Sequence, residues 1–390
     1  MKETNFMKQK KRCLDRHLPL KPEPIHRGMT VDKVIESSMF SFNAGSFRKA
    51  CELFANHIAK EDVRIGVSLA GALVPAGLGR SCLIPLIKAG LIDWIVSTGA
   101  NLYHDLHLML GYEFREGHAN ADDEKLRNNG IIRIYDIFLD YKALLDTDAF
   151  IRKTLMRNKS KLPSPCSSAD IHALLGKEII KLKPDLKDES LLAAAYEAGV
   201  PIHTSSPADS SIGMNIAALM LEERRIPLDT HKDINEVTSY VYDIKKKAGK
   251  SAVLLLGGGS PKNFVLQTEP HIQEVLGLPE SGHDFFIQFT DARPDTGGLS
   301  GATPSEAVSW GKIDPAALSK TIVSYGDCSL MLPFFVSYAL NKITPRKSSR
   351  LYEKHEDLLQ QLKSDFRKKG RYKPKKKTFV HRLTQIKTEN

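Results

Sequence analysis

Short continuous apolar runs, each closed by small and turn-forming residues, recur along this chain, and helical spacing fills the stretches between them. The first run, RIGVSL at 64–69, leads into a small-residue loop at 71–77. A helix over 80–89 follows, then a strand at 93–97 and a tight TGAN turn at 98–101 that opens another helix. The alternation returns at 201–204, with a loop to Asp209 and a helix over 212–222. It returns again at 252–256, where the most apolar strand ends in Gly257, Gly258 and Gly259, ahead of a helix from Pro261 to about 275. Strands at 285–289 and 321–325 and a helix over 329–341 complete the body. Residues 30–60 have helical spacing parted around 43–45, and helices are predicted over 148–157, 167–180 and 188–198. Residues 112–136 are polar and read as an excursion from the sheet. Strand alternating with helix in this way predicts an α/β fold, a Rossmann-like parallel sheet with helices on both faces and right-handed crossovers.

Composition changes this picture little, since 42% hydrophobic and 26% charged residues is the balance of an ordinary soluble protein. No apolar run reaches the roughly 18–20 residues of a membrane span, and the N-terminus lacks the apolar stretch of a secretory signal. A cytoplasmic protein is expected. The five cysteines, at 13, 51, 82, 166 and 328, include no C-x-x-C pair, which points to reduced thiols rather than disulfides or zinc. Charge says more. The net +10 sits at the ends, because residues 341–390 hold 16 Lys and Arg against 5 Asp and Glu, and residues 1–27 hold 8 against 3. The chain thus divides into a basic N-terminal arm (1–27), a body (28–342) and a basic C-terminal tail (343–390) that begins as a polar helix over 351–366. Nucleic acid is a partner only through that tail.

The candidate chemistry gathers at predicted strand ends, where open α/β sheets bind ligands. Thr98, Gly99, Asp209, Gly258, Ala292 and Asp327 all fall just after predicted strands. The glycines at 257–259 let a phosphate or ribose approach the backbone beside a helix start. After the strand at 285–289 comes a loop broken by Pro294, Gly297, Gly298, Gly301 and Pro304, then a short helix that delivers Lys312. A lysine attacks as the neutral amine, so it needs desolvation or a proton acceptor. Trp310, one of two tryptophans, can exclude water there, and Glu306 supplies an acid. Asp295 is placed to pair with Arg293 or to meet a substrate. His104 and His107 share a helical face as a polar pocket wall, and no ligand set for a metal stands out.

The heptad Glu306-Ala307-Val308-Ser309-Trp310-Gly311-Lys312 resembles the signature of deoxyhypusine synthases, and the resemblance runs from about residue 31 to 342. It implies that 28–342 is an NAD-binding catalytic domain and that Lys312 is a covalent nucleophile. It further implies an NAD site formed by Gly71, Thr98, Gly99, Asp209, Gly258, Ala292, Ser300 and Asp327. Asp209 matches the acid of the family's T-D-G-S-L-G stretch. A substrate site at Trp310, Glu306, His104, Asn263 and Asp295 follows in the same way, as does a homotetramer. The implied reaction carries a 4-aminobutyl group from spermidine through a Lys312 imine to a lysine of a translation factor, with NAD taking and returning the hydride.

The polyamine clamp departs from the family pattern. Tyr103 and His104 stand where spermidine-using synthases have two glutamates, Met214 and Leu299 replace acids, and Asn263 replaces a histidine. Asp105, Asp291 and Asp295 are the acids left to take their place. Each lost polar contact is worth about 1.5–3 kcal/mol to a charged ligand. Three alternatives follow from this. One is transfer to a small diamine, as in a homospermidine synthase; another is a different NAD-linked reaction on a less charged amine. The third is a non-catalytic nucleic-acid-binding protein using its basic ends. Deleting 345–390 is expected to abolish only the last.

Overall fold

The computed structural model describes residues 19–369. Nine strands are present among them: β1 Val63–Leu69, β2 Trp94–Ser97, β3 Arg115–Glu116, β4 Ile131–Ile134, β5 Ile137–Asp140, β6 Ile202–Thr204, β7 Lys250–Leu256, β8 Phe285–Thr290 and β9 Thr321–Tyr325. Six of them form one parallel sheet in the order β6-β2-β1-β7-β8-β9. The chain starts at β1, builds outward through β2 and β6, then returns to the other side of β1 with β7. Neighbouring crossovers therefore leave β1 and β7 toward opposite flanks, which opens a crevice at their carboxyl ends.

Side-chain alternation explains why both faces of the sheet are covered. Ile65, Val67 and Leu69 of β1 and Leu254 and Leu256 of β7 enter one core; Val253 and Leu255 enter the other. Gly66, in the middle of β1, is required by packing, because a Cβ there would stand 2.3 Å from the Trp94 ring. Trp94 is fully buried in consequence.

The polar excursion at 112–136 contains structure of its own: β3, β5 and β4 form a small antiparallel sheet. A two-residue turn joins β4 to β5, and Tyr135 adopts a positive φ within it. The helix Thr230–Lys246 is another element absent from the sequence reading, although Val237, Tyr240, Val241 and Ile244 lie on one buried face.

Residues 343–369, grouped with the tail by charge, dock on the body. Arg346 donates to the carbonyls of Gly90 (2.6 Å) and Val63 (2.7 Å) and to Asp93 Oδ2 (2.7 Å). The helix Leu351–Lys369 packs along Thr230–Lys246 and buries Leu351, Leu358 and Leu362. Beside them lies a buried charge cluster. Lys232 Nζ bonds Asp170 Oδ2 at 3.0 Å and Glu356 Oε1 at 2.7 Å, with Glu236 3.5 Å away, and His355 Nε2 lies 3.4 Å from Asp170. The basic run at 371–377 and Cys13 lie outside the described residues. Among the described residues, no helix is long and apolar enough to cross a membrane.

Candidate active site

Backbone bonds tie the carboxyl ends of the sheet into one continuous row. Thr98 N donates to Leu69 O and Ala70 N to Leu256 O, each at 3.0 Å, while Gly257 N donates to Phe289 O at 2.8 Å and Gly326 N to Thr290 O at 3.0 Å. Gly71, Thr98, Gly99, Gly258, Ala292 and Asp327 therefore share one edge. Thr98 Oγ1 donates to Gly71 O at 2.6 Å. Gly99 faces Ser210, next to Asp209, so closely that a Cβ would lie 2.0 Å from the serine side chain. Gly258 faces Ser300 in the same manner, with 2.4 Å left for a Cβ. Ser300 Oγ accepts from Gly259 N at 2.9 Å. Asp327 accepts from Ser329 N at 3.1 Å, and the Ser329 hydroxyl and amide hold its carboxyl below the ordinary range.

A cavity of about 390 Å³ lies between the helix Gly259–Leu266 and the helix Pro304–Ser309. Lys262, Asn263, Leu299, Glu306, Trp310 and Lys312 are on its wall, together with Glu274. Thr303 caps the second helix by accepting from Glu306 N, and Gly311, with a φ of 66°, turns the chain out of it so that Lys312 points back into the cavity. Lys312 Nζ donates to Asn263 Oδ1 at 2.9 Å and lies 5.9 Å from the centre of the Trp310 ring. Burial pushes the Lys312 amine below the usual lysine range, and Glu306 opposes that shift.

Sequence reasoning missed Lys262. It is buried, and its Nζ donates to Gln288 Oε1 (3.0 Å), Ser300 O (3.1 Å) and Ala302 O (2.7 Å). Burial, then mutual repulsion with Lys312, pushes it down to about 8. Gln288 is held in turn by donating through Nε2 to Gly257 O and Ser300 O, both at 2.8 Å. The available signal was Gln288, a polar residue set among Phe285, Phe286, Ile287 and Phe289.

Three expectations meet a different geometry. Trp310 is 62% exposed in this chain and does not by itself shield Lys312. Asp295 takes the first of its two readings, a two-pronged ion pair with Arg293 at 2.7 and 3.0 Å on the exposed loop, and does not line the Lys312 cavity. His104 does not line it either. Its Nδ1 contacts His107 Nε2 at 3.1 Å, His107 Nδ1 meets Thr147 Oγ1 at 2.7 Å, and burial pushes His104 down to about 4. Tyr103 is engaged with Asp148, and Asp105 accepts from Ser190 Oγ and the amides of Leu191 and Leu192. Met214 is exposed on the helix Ser211–Leu221.

The sequence model of the family "Deoxyhypusine synthase" matches residues 34–339. A deoxyhypusine synthase-like protein of Nostoc punctiforme is 52% identical over 347 residues, 88% of each chain. A probable deoxyhypusine synthase 2 of Methanosarcina mazei is 37% identical over 303 residues, 78% of this chain and 84% of its own. The fold is shared with a solved putative deoxyhypusine synthase from Entamoeba histolytica, at a TM-score of 0.55 and 13% identity over 84% of this chain and 99% of that one. A match of this extent, with the heptad folded so that its lysine enters a cavity, makes the chain a member of the deoxyhypusine synthase family.

Proposed function

We propose that this protein is an NAD-dependent aminobutyltransferase that works through an imine on Lys312. The observation that carries the reading is Lys312 itself: a half-buried amine of lowered basicity in a cavity whose wall residue Lys262 is bonded to Ser300, the neighbour of Gly258 at the glycine-rich strand edge. That edge fits a dinucleotide. Thr98 does not cap its helix through its side chain, so first-turn amides there are left to face a diphosphate; in the helix Gly259–Leu266, where Ser300 Oγ takes Gly259 N and Pro261 has no N–H, Ser260 N is left. Asp327, anionic at neutral pH, suits ribose hydroxyls. NAD held at that edge would supply the hydride acceptor for the donor carbon and the hydride restored to the product.

The chain's own groups account for the transfer. Oxidation turns the donor's C–N bond into an imine. Neutral Lys312 adds to the imine carbon while Asn263 Oδ1 holds one of its N–H bonds. The original amine leaves with a proton, and the four-carbon unit is held as a Lys312 imine. An acceptor amine then displaces Lys312 by the same exchange. Glu274 and Glu306, the two acids of the cavity wall, receive the ammonium of the transferred unit. The exposed Trp310 is covered by a second copy in the homotetramer that this reading includes, and a cytoplasmic site of action belongs to it as well.

The proposed donor is spermidine and the proposed acceptor a protein lysine, as in deoxyhypusine formation. A second reading is favoured by Leu299, an apolar residue on the cavity wall where the resemblance calls for an acid: transfer to a small diamine, or an NAD-linked reaction on a less charged amine. Borohydride trapping with NAD and spermidine, putrescine or agmatine, followed by peptide mapping, tests both. A butylamine adduct on Lys312 with spermidine, absent in Lys312→Arg, is the expected result. An adduct formed only from another amine selects the second reading. Neither bound NAD nor any adduct overturns the enzyme.

A further inference from the structure

A buried lysine that spends all its donors on fixed acceptors is held as an ammonium. Lys262 Nζ has three acceptors, Gln288 Oε1, Ser300 O and Ala302 O, all between 2.7 and 3.1 Å. An ammonium has three N–H donors to match them. A neutral amine has two, and its lone pair would face the third oxygen. None of the three acceptors is free to turn away. Ser300 and Ala302 offer backbone carbonyls, and the Gln288 amide is fixed by its two bonds to Gly257 O and Ser300 O. Lys312 contrasts with it, having one side-chain partner, Asn263. The titratable groups on the cavity wall are these two lysines with Glu306 and Glu274.

We infer that Lys262 is a positioning residue, a fixed internal cation whose charge keeps the neighbouring Lys312 neutral and so nucleophilic. Two ammonium groups in one partly desolvated cavity repel, and the proton is lost from the one with fewer acceptors. The same residue joins the two halves of the site, because its partner Ser300 also accepts from Gly259 at the strand edge.

The inference rests on Lys312 as the proposed nucleophile, but its test requires neither NAD nor a polyamine. The full-length protein is treated with butanal and cyanoborohydride across pH, and the extent of Lys312 alkylation is read by peptide mapping. Lys262→Met should move the midpoint of Lys312 reactivity up by about one pH unit, whereas Lys262→Arg, which keeps the charge, should leave it near the wild-type value. No movement in Lys262→Met, or an equal movement in both variants, overturns the inference. Lysine Cε resonances of the ¹³C-labelled wild-type protein give a check that holds if Lys262→Met does not fold. Lys262 must stay protonated to higher pH than Lys312, and the reverse order also overturns the inference. A failed trapping experiment with spermidine alongside a shifted butanal profile would refute the proposed substrate and leave the lysine pair intact.

Discussion

Removing the helix Leu351–Lys369 is a stringent perturbation of this fold, because charge alone assigns it to a tail while its packing assigns it to the body. A chain ending at Thr344 would expose the surface that Leu351, Leu358 and Leu362 cover. At about 2 kcal/mol for each buried leucine, the loss is of order 6 kcal/mol. It also strips Arg346 from Asp93, and Glu356 and His355 from the Lys232 cluster. Leaving a buried charge without its partner costs about 3–5 kcal/mol. Together these approach the roughly 5–15 kcal/mol that holds a typical protein folded. Melting of the Thr344-terminated chain, followed by circular dichroism, should fall at least about 10 °C below that of a chain ending at Lys369. Melting within about 3 °C would refute the packing argument. A deletion of 345–390 therefore does not isolate the basic run, as the charge pattern implies; a cut after Lys369 does.

Three further outcomes test the site and its scaffold. Lys232→Met should destabilise the protein by about 3–5 kcal/mol at pH 8 in guanidinium unfolding, because Asp170 and Glu236 lose their ammonium. Burial, with the nearby Asp170 charge, raises the Glu236 carboxyl. The folded state then holds that proton more tightly than the unfolded chain, so the penalty should shrink as pH falls through the raised value; a pH-independent penalty would refute this account. Gly258→Ala should push the Ser300 loop outward and weaken NAD binding by about tenfold or more in calorimetry, since the Gly259–Ser300 and Lys262–Ser300 bonds both depend on that contact. Asn263→Asp would place a carboxylate against the Lys312 amine, 2.9 Å from the present oxygen. It should raise the pH at which butanal alkylates Lys312 by about one unit or more, and an unchanged profile would mean that Asn263 is not that partner.

Local chemistry made much of the frame legible. Apolar runs closed by glycine marked four strands of the main sheet, the run at 285–289 ahead of the Asp291–Pro294 loop marked a fifth, and the short PIHT run marked the sixth. The heptad marked Lys312 because a short helix followed by Gly311 is specified by neighbouring residues. Properties that depend on distant parts of the chain were not legible. Nothing in β1 or β7 states that they pair across 180-odd residues, as Val63 with Lys250 does, yet that pairing creates the crevice. Asp295 and His104 bond to near neighbours in sequence, Arg293 and His107, as their spacing allows; that these pairs stand away from the Lys312 cavity is decided by the fold. The helix predicted over 351–366 looked like a polar start to the basic tail, since the three buried leucines of Leu351–Lys369 gain meaning only against Thr230–Lys246. Lys262 looked like any lysine in a helix. Sequence determines which bonds a residue can make within a few positions of itself; the charge state of a buried amine depends on how many oxygens surround it. For Lys262 those oxygens come from β8 and from the loop beyond it, 26 to 40 residues away, and only the tertiary fold brings them together.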